Sequence, residues 1–161
     1  MSDWLAVVGD LVVVPTHGGP ILGINSVTRS VNWIFSDASK SREVSSSPAV
    51  SGGLAFISAQ NRRLLALDIK DGSLKWEAVL RNRTNSSPVV CDGKIYVAAS
   101  GRLYVFELET GKEVSDVQLR GEISGSPAIA NGRLVIASTN GTVYCLGPLA
   151  ARKTHFRIQF E

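Results

Sequence analysis

The chain is poor in the residues that most often carry chemistry or cross-links. Its 161 residues include two cysteines, two histidines and one methionine. Cys91 and Cys145 are too few thiols for a disulfide framework. Cys145 lies between Tyr144 and Leu146 and is expected to pack as a small hydrophobe. No C-x-x-C or H-x-x-x-H spacing occurs, which argues against a tetrahedral metal site. No D-x-D-x-D-G cluster occurs that would gather oxygens around calcium. No apolar run approaches the roughly 18 residues that cross a bilayer. No segment keeps apolar residues at helix spacing for several turns. A basic stretch, an apolar block and a small-residue cleavage site are not seen at the N-terminus. As written, the chain is therefore expected in the cytoplasm; if an upstream segment has been removed, the periplasm or cell exterior is open to it. Net charge is +3, and the basic residues fall in scattered groups such as Arg62-Arg63, Arg81 with Arg83, and Arg152-Lys153. A nucleic-acid surface would gather that charge on one face, so nucleic acid is not an expected partner.

Repetition is what the sequence does have. Ser46-Ser47-Pro48-Ala49-Val50 returns as Ser86-Ser87-Pro88-Val89-Val90 and as Gly125-Ser126-Pro127-Ala128-Ile129. A fixed period near forty residues marks stacked supersecondary units that cannot bury their apolar faces alone. Five residues after each proline stands a glycine, Gly53, Gly93 or Gly132, within a Gly-Gly, Asp-Gly or Asn-Gly pair. Such pairs supply the positive φ angles of tight hairpins. Short β-rich runs follow: 54–58 and 64–68, 95–99 and 103–107, 134–138 and 143–146. A further turn at Asp71-Gly72 or Thr110-Gly111 leads to a fourth run, 74–80 or 113–119.

Each period thus reads as a four-stranded antiparallel meander. The first forty residues fit the same frame, with Trp4 in the proline position and Trp33 aligned with Trp76, Ser115 and His155. The expectation is an all-β single repeat domain over 1–161, with units at about 3–37, 45–80, 85–120 and 124–160.

The stretch from Ala66 to Trp76 carries Asp68, Gly72 and Trp76 in the pattern A-x-D-x-x-x-G-x-x-x-W. In this it resembles the quinoprotein, or PQQ-like, β-propeller repeat, to which the preceding S-S-P-x-V strand also belongs. Val105 to Ser115 is a second copy that keeps Glu107 and Gly111 and has Ser115 for the tryptophan. Asn25 to Trp33 is a third, with Asn25 for the acid and Arg29 for the glycine. The fourth unit departs most, placing Gly147 in the acid position and His155 in the tryptophan position.

The resemblance implies a β-propeller of four four-stranded blades, against the eight usual in the family. Three arrangements fit that count: a fragment of a longer propeller, two chains completing one ring, or a small closed ring of four. The tryptophans are expected to dock between adjacent blades, each burying on the order of 200 Å². Trp76→Ala is then expected to cost roughly 3–5 kcal/mol, and the junctions near Ser115 and His155 should be weaker.

The quinone-dependent dehydrogenases of this family need a tryptophan floor, a calcium site, a catalytic aspartate and often adjacent cysteines. No residue here carries over as catalytic, cofactor-binding or metal-binding. Asp68, Asp71, Glu107 and Glu109 sit at turn positions that the repeat explains. His17 lies in a loop without an orienting partner. The paired serines recur with proline, and no G-x-S-x-G elbow surrounds them. The sequons at Asn82, Asn85 and Asn140 fall in loops.

The reading is a non-catalytic propeller scaffold that mediates protein–protein interaction or serves as an accessory domain of a larger protein. The alternative is a quinone- or small-ligand-binding propeller domain, with PQQ and calcium as cofactors, whose site needs further blades. The expected partner is a protein, or another copy or segment that completes the propeller.

Overall fold

The computed structural model describes residues 5–17, 19–36, 44, 46–123, 125–147 and 154–156. These form four sheets, each a four-stranded antiparallel meander in chain order. Blade 1 holds β1 (Ala6–Val8), β2 (Leu11–Pro15), β3 (Ile21–Asn25) and β4 (Ser30–Phe35). Blade 2 holds β5 (Ala49–Ser51), β6 (Leu54–Ala59), β7 (Arg63–Asp68) and β8 (Leu74–Val79). Blade 3 holds β9 (Val89–Cys91), β10 (Lys94–Ala99), β11 (Arg102–Glu107) and β12 (Glu113–Gln118). Blade 4 holds β13 (Ala128–Ala130), β14 (Arg133–Ala137), β15 (Val143–Leu146) and β16 (Thr154–Phe156). Among the described residues there is no helix.

The hairpin pairs do what their composition demands. Asp92 and Gly93 take φ of 49° and 68°, and Asn131 and Gly132 take 50° and 68°. Two consecutive left-handed residues twist the β-turn to match the flanking strands, and only Gly, Asn or Asp adopt that conformation cheaply.

The core lies between blades. Side chains alternate along a strand, so β6 sends Ala55, Ile57 and Ala59 toward blade 1 and Phe56 toward blade 3. β7 does the same with Leu65 and Leu67 on one side and Leu64 and Ala66 on the other. A strand covered on both faces reads as a continuous apolar run, which is why Leu64-Leu65-Ala66-Leu67 shows no polar alternation. Three such cores join blade 1 to blade 2, blade 2 to blade 3, and blade 3 to blade 4.

A bulge recurs at one position of three blades. Ala66 pairs with Trp76 while Leu67 pairs with Leu74, so Lys75 is the extra residue. The same shift leaves out Val114 opposite Val105 and Phe106, and Asn32 opposite Gly23 and Ile24. A bulge bends the strand and re-aims its side chains. Here it turns Trp33 and Trp76 onto the face that meets the following blade, while Val31 and Leu74 go to the opposite face.

One alignment is corrected by the register. Trp33, Trp76 and Ser115 occupy equivalent positions opposite Gly23, Ala66 and Val105. In blade 4 the residue opposite the equivalent Cys145 is Thr154, and His155 pairs with Tyr144 instead. The fourth unit reaches the tryptophan position one residue sooner than its spacing from Gly147 suggests.

Candidate interaction surface

Trp33 and Trp76 each dock on the glycine of the next blade's signature, while Trp4 lies outside the described residues. Trp33 is buried, and its ring lies over Gly72, where an added Cβ would come within 2.5 Å of Cε3. Its Nε1 donates to the Ile69 carbonyl at 2.8 Å. Trp76 repeats the arrangement one blade later. A Cβ at Gly111 would lie 2.4 Å from its Cε3, and its Nε1 donates to the Leu108 carbonyl at 3.1 Å. Phe56 packs beside it at a ring separation of 5.8 Å. Trp33 lies against a glycine of its own blade as well, Gly23, whereas Trp76 faces Ala66 and is only half-buried.

The acids of the signature turn back on their own loops. Asp68 Oδ1 accepts the Lys70 amide at 2.9 Å, and Oδ2 faces Lys75 Nζ at 3.1 Å. The Lys70 amide, followed by Lys75, holds the Asp68 carboxyl below its ordinary value of 3.8. Asp71 is lowered as well, by the hydroxyl and amide of Ser73. Asn25 plays the acid's part in blade 1, accepting from the amides of Val27 and Thr28 at 2.9 and 2.8 Å. Glu107 accepts from the Thr110 hydroxyl at 2.8 Å. The bonds of Asn25, Asp68 and Asp71 are Asx-type turn locks. Among the described residues no group of three or more His, Cys, Asp or Glu side chains is placed to hold a metal.

Pro48, Pro88 and Pro127 are buried where each inner strand begins. The serine before each proline links consecutive blades: the Ser47 amide donates to Ser87 Oγ at 2.9 Å, and the Ser87 amide to Ser126 Oγ at 2.8 Å. Gly53, Gly93 and Gly132 all have positive φ, and a Cβ at any of them would meet nothing within 4 Å. Their place is fixed by backbone conformation alone. His155 lies in β16. His17 is exposed, and the sequons at Asn82, Asn85 and Asn140 lie outside the strands.

Two tyrosines were not singled out in the sequence, yet both hold junctions. Tyr104 OH accepts the Arg81 amide at 3.2 Å. Tyr144 OH accepts the Arg120 amide and donates to the Arg120 carbonyl, both at 2.8 Å. Tyr144 thus secures the blade 3–blade 4 junction, where Ser115 replaces the tryptophan. Tyr144→Phe is expected to lower stability by about 1–3 kcal/mol through the unpaired backbone groups it leaves, more than Tyr104→Phe. Urea unfolding of the two variants measures the difference.

The end blades each leave one face uncovered. On blade 1 the cross-strand partners Val7, Val12, Ile24 and Val31, and next to them Val14, Leu22 and Ile34, share the face opposite blade 2. Val7 is 60% exposed, Val31 52% and Ile34 62%. On blade 4 the uncovered face carries Ala128, Val135, Ala137, Val143 and Cys145. On their two middle strands these faces correspond to buried positions of blade 2, such as Ala55, Ile57, Leu65 and Leu67 on one side and Phe56, Leu64 and Ala66 on the other, whereas Leu74, the equivalent of Val31, is 41% exposed. Among the described residues neither outer face is covered, with Val7, Val31 and Ile34 of blade 1 and Val135 of blade 4 all exposed, so the arrangement of four blades as a small closed ring is set aside. Contiguous apolar faces of this kind mark association surfaces.

Four radial meanders with tryptophan-docked junctions define part of a PQQ-like propeller. The comparisons with known proteins agree. A family model described as outer membrane protein assembly factor BamB matches residues 2–154, and the chain belongs to that family. BamB of Yersinia pestis is 27% identical over 116 residues, 63% of this chain and 30% of its own. The crystal structure of BamB from Moraxella catarrhalis superposes with a TM-score of 0.80 at 19% identity, covering 90% of this chain and 48% of that one. Quinohemoprotein alcohol dehydrogenase from Comamonas testosteroni has the same fold, with a TM-score of 0.79 at 14% identity over 96% of this chain and 34% of its own. The chain thus spans less than half the length of these relatives. No described helix is long and apolar enough to cross a membrane.

Proposed function

We propose that the chain is a non-catalytic propeller scaffold that holds a protein partner in the assembly of outer-membrane proteins. One observation carries this reading. The residues that make the repeat recognisable are committed to architecture: Trp33 and Trp76 to the next blade, and Asn25, Asp68, Asp71 and Glu107 to their own turns. Fold likeness to a dehydrogenase does not by itself transfer chemistry. Membership in a family described as an assembly factor favours a binding role, and propellers present loop surfaces suited to it.

The discriminating experiment adds PQQ with calcium and follows thermal unfolding and quinone absorbance. The expected result is an unchanged midpoint and an unchanged spectrum. A saturable upward shift would overturn the scaffold reading in favour of a quinone-binding domain. The partner arm mixes the chain with purified outer-membrane assembly components and looks for a stable co-eluting complex. Failure to bind any of them removes the assembly role.

A further inference from the structure

The fold sorts charges that look scattered in the sequence, and we propose that the arginines it gathers at one end of the blades form a surface on which an acidic segment of a partner protein docks. This deepens the scaffold reading and rests on it.

In an antiparallel meander successive turns fall at alternate ends. One end carries the β6–β7, β10–β11 and β14–β15 turns and the segments that leave each blade. Backbone bonds tie these together. The Leu80 amide donates to the Arg62 carbonyl at 2.7 Å, the Leu119 amide to the Gly101 carbonyl at 2.8 Å, and the Thr139 amide to the Glu122 carbonyl at 2.8 Å. Between them Asn82 Nδ2 donates to the Ser100 carbonyl at 3.4 Å, and the Ser100 hydroxyl to the Arg83 carbonyl at 3.3 Å. The path runs unbroken from blade 2 to blade 4, and Arg62, Arg63, Arg81, Arg83, Arg102 and Arg120 stand along it. The opposite end holds every described lysine, and there the signs alternate: Lys70 beside Asp71, Lys94 near Asp92, Lys112 near Glu109, and Lys75 paired with Asp68.

Some of the arginines are already engaged. Arg63 is buried and paired with Glu77. Arg81 and Arg102 both hold Asp116, the first at 2.8 Å. That carboxylate, gripped by two guanidinium groups, shows within the chain the chemistry proposed for the partner. Arg62, Arg83 and Arg120 are exposed, and none of them has an acid partner among the described residues. Among the described residues of these loops the one acid is Glu122.

The residue type names the ligand. The planar fork of arginine matches a carboxylate in two places at once, as the ammonium of lysine does not. A single-stranded nucleic acid would want rings to stack on as well as charge, and Tyr104 and Tyr144 are turned inward. A lipid surface would want a broad apolar face among the charges. Along this path the exposed large apolar side chain is Val79 (65% exposed), which suits one side chain of a peptide.

Fluorescence anisotropy tests this with the whole chain and a labelled peptide in which Glu and Asp alternate with Leu. The expected result is saturable binding that weakens as salt is raised and disappears when Gln and Asn replace the acids. Arg62→Gln, Arg83→Gln and Arg120→Gln should each weaken it about threefold, the weight of one exposed ion pair. The triple variant should lose about thirtyfold, because separated sites add. These side chains lie in solvent, so the unfolding midpoint stays that of the wild type. Lys70→Gln and Lys112→Gln, at the other end, should leave the affinity unchanged. No binding, or equal binding by the triple variant, overturns the proposal. Tighter binding of phosphatidylglycerol vesicles or of a single-stranded oligonucleotide through the same three arginines overturns it too. The scaffold reading is tested apart from it: a complex with purified outer-membrane assembly components that forms equally well with the triple variant leaves the scaffold standing and sinks this surface.

Discussion

Replacing Trp33 by alanine is expected to lower the free energy of unfolding by about 3–5 kcal/mol, the range for deleting a large buried aromatic. The indole is 94% removed from solvent (6% exposed). It lies between Gly23 of its own blade and Gly72 of the next, and its N–H has a carbonyl partner in Ile69. Alanine removes the ring, leaves a flat cavity walled by two glycines, and strips that carbonyl of its donor. The structure orders the two tryptophans. Trp76 makes the same hydrogen bond at a longer 3.1 Å and is only half-buried, so Trp76→Ala belongs at the low end of the range, about 3 kcal/mol. Chemical denaturation of both variants checks the order. Equal midpoints for wild type and Trp33→Ala would mean that the ring does not secure the blade 1–blade 2 junction.

The fold was legible because the repeat is written in residues with few conformational options. Proline and the Gly-Gly, Asp-Gly and Asn-Gly pairs fix backbone angles, so their spacing displays the period directly. The junction chemistry was half legible. Gly72 and Trp76 announce themselves by type, and Asn25 stands in for the acid with the same hydrogen bonds. The bulge is different. Asn32, Lys75 and Val114 share no chemistry, since a bulge is a fact of strand pairing that many side chains tolerate. Equal spacing therefore suggested His155 for the tryptophan position, whereas pairing assigns it to Thr154. Tyr104 and Tyr144 were hidden for a related reason. They look like ordinary core aromatics, and only the approach of the preceding blade's exit loop gives their hydroxyls partners. The uncovered face of blade 1 did leave a trace. Leu11-Val12-Val13-Val14 has no polar alternation, which is how a strand meant to be covered on both sides reads.

Gly72→Ala should be nearly as damaging as losing the tryptophan, although it adds one methyl group and removes nothing. Two costs act together. The residue sits at φ 73°, where an L side chain is strained by roughly 1–2 kcal/mol. Its new Cβ would also stand 2.5 Å from Cε3 and 2.7 Å from Cδ2 of Trp33, too close for any real contact. The indole cannot swing aside, because Gly23 closes its other face and Ile69 holds its nitrogen. Forcing it out adds about 1–3 kcal/mol of overpacking, for a total near 2–5 kcal/mol. The two costs separate in a double-mutant cycle. In the Trp33→Ala background the clash is gone, and Gly72→Ala should then cost only the backbone strain. The measured coupling should be of the size of the overpacking, well beyond the few tenths expected of independent sites. Additive losses would show that the two residues do not meet, and the docking of each blade's tryptophan on the next blade's glycine would have to be abandoned as the principle that joins the blades.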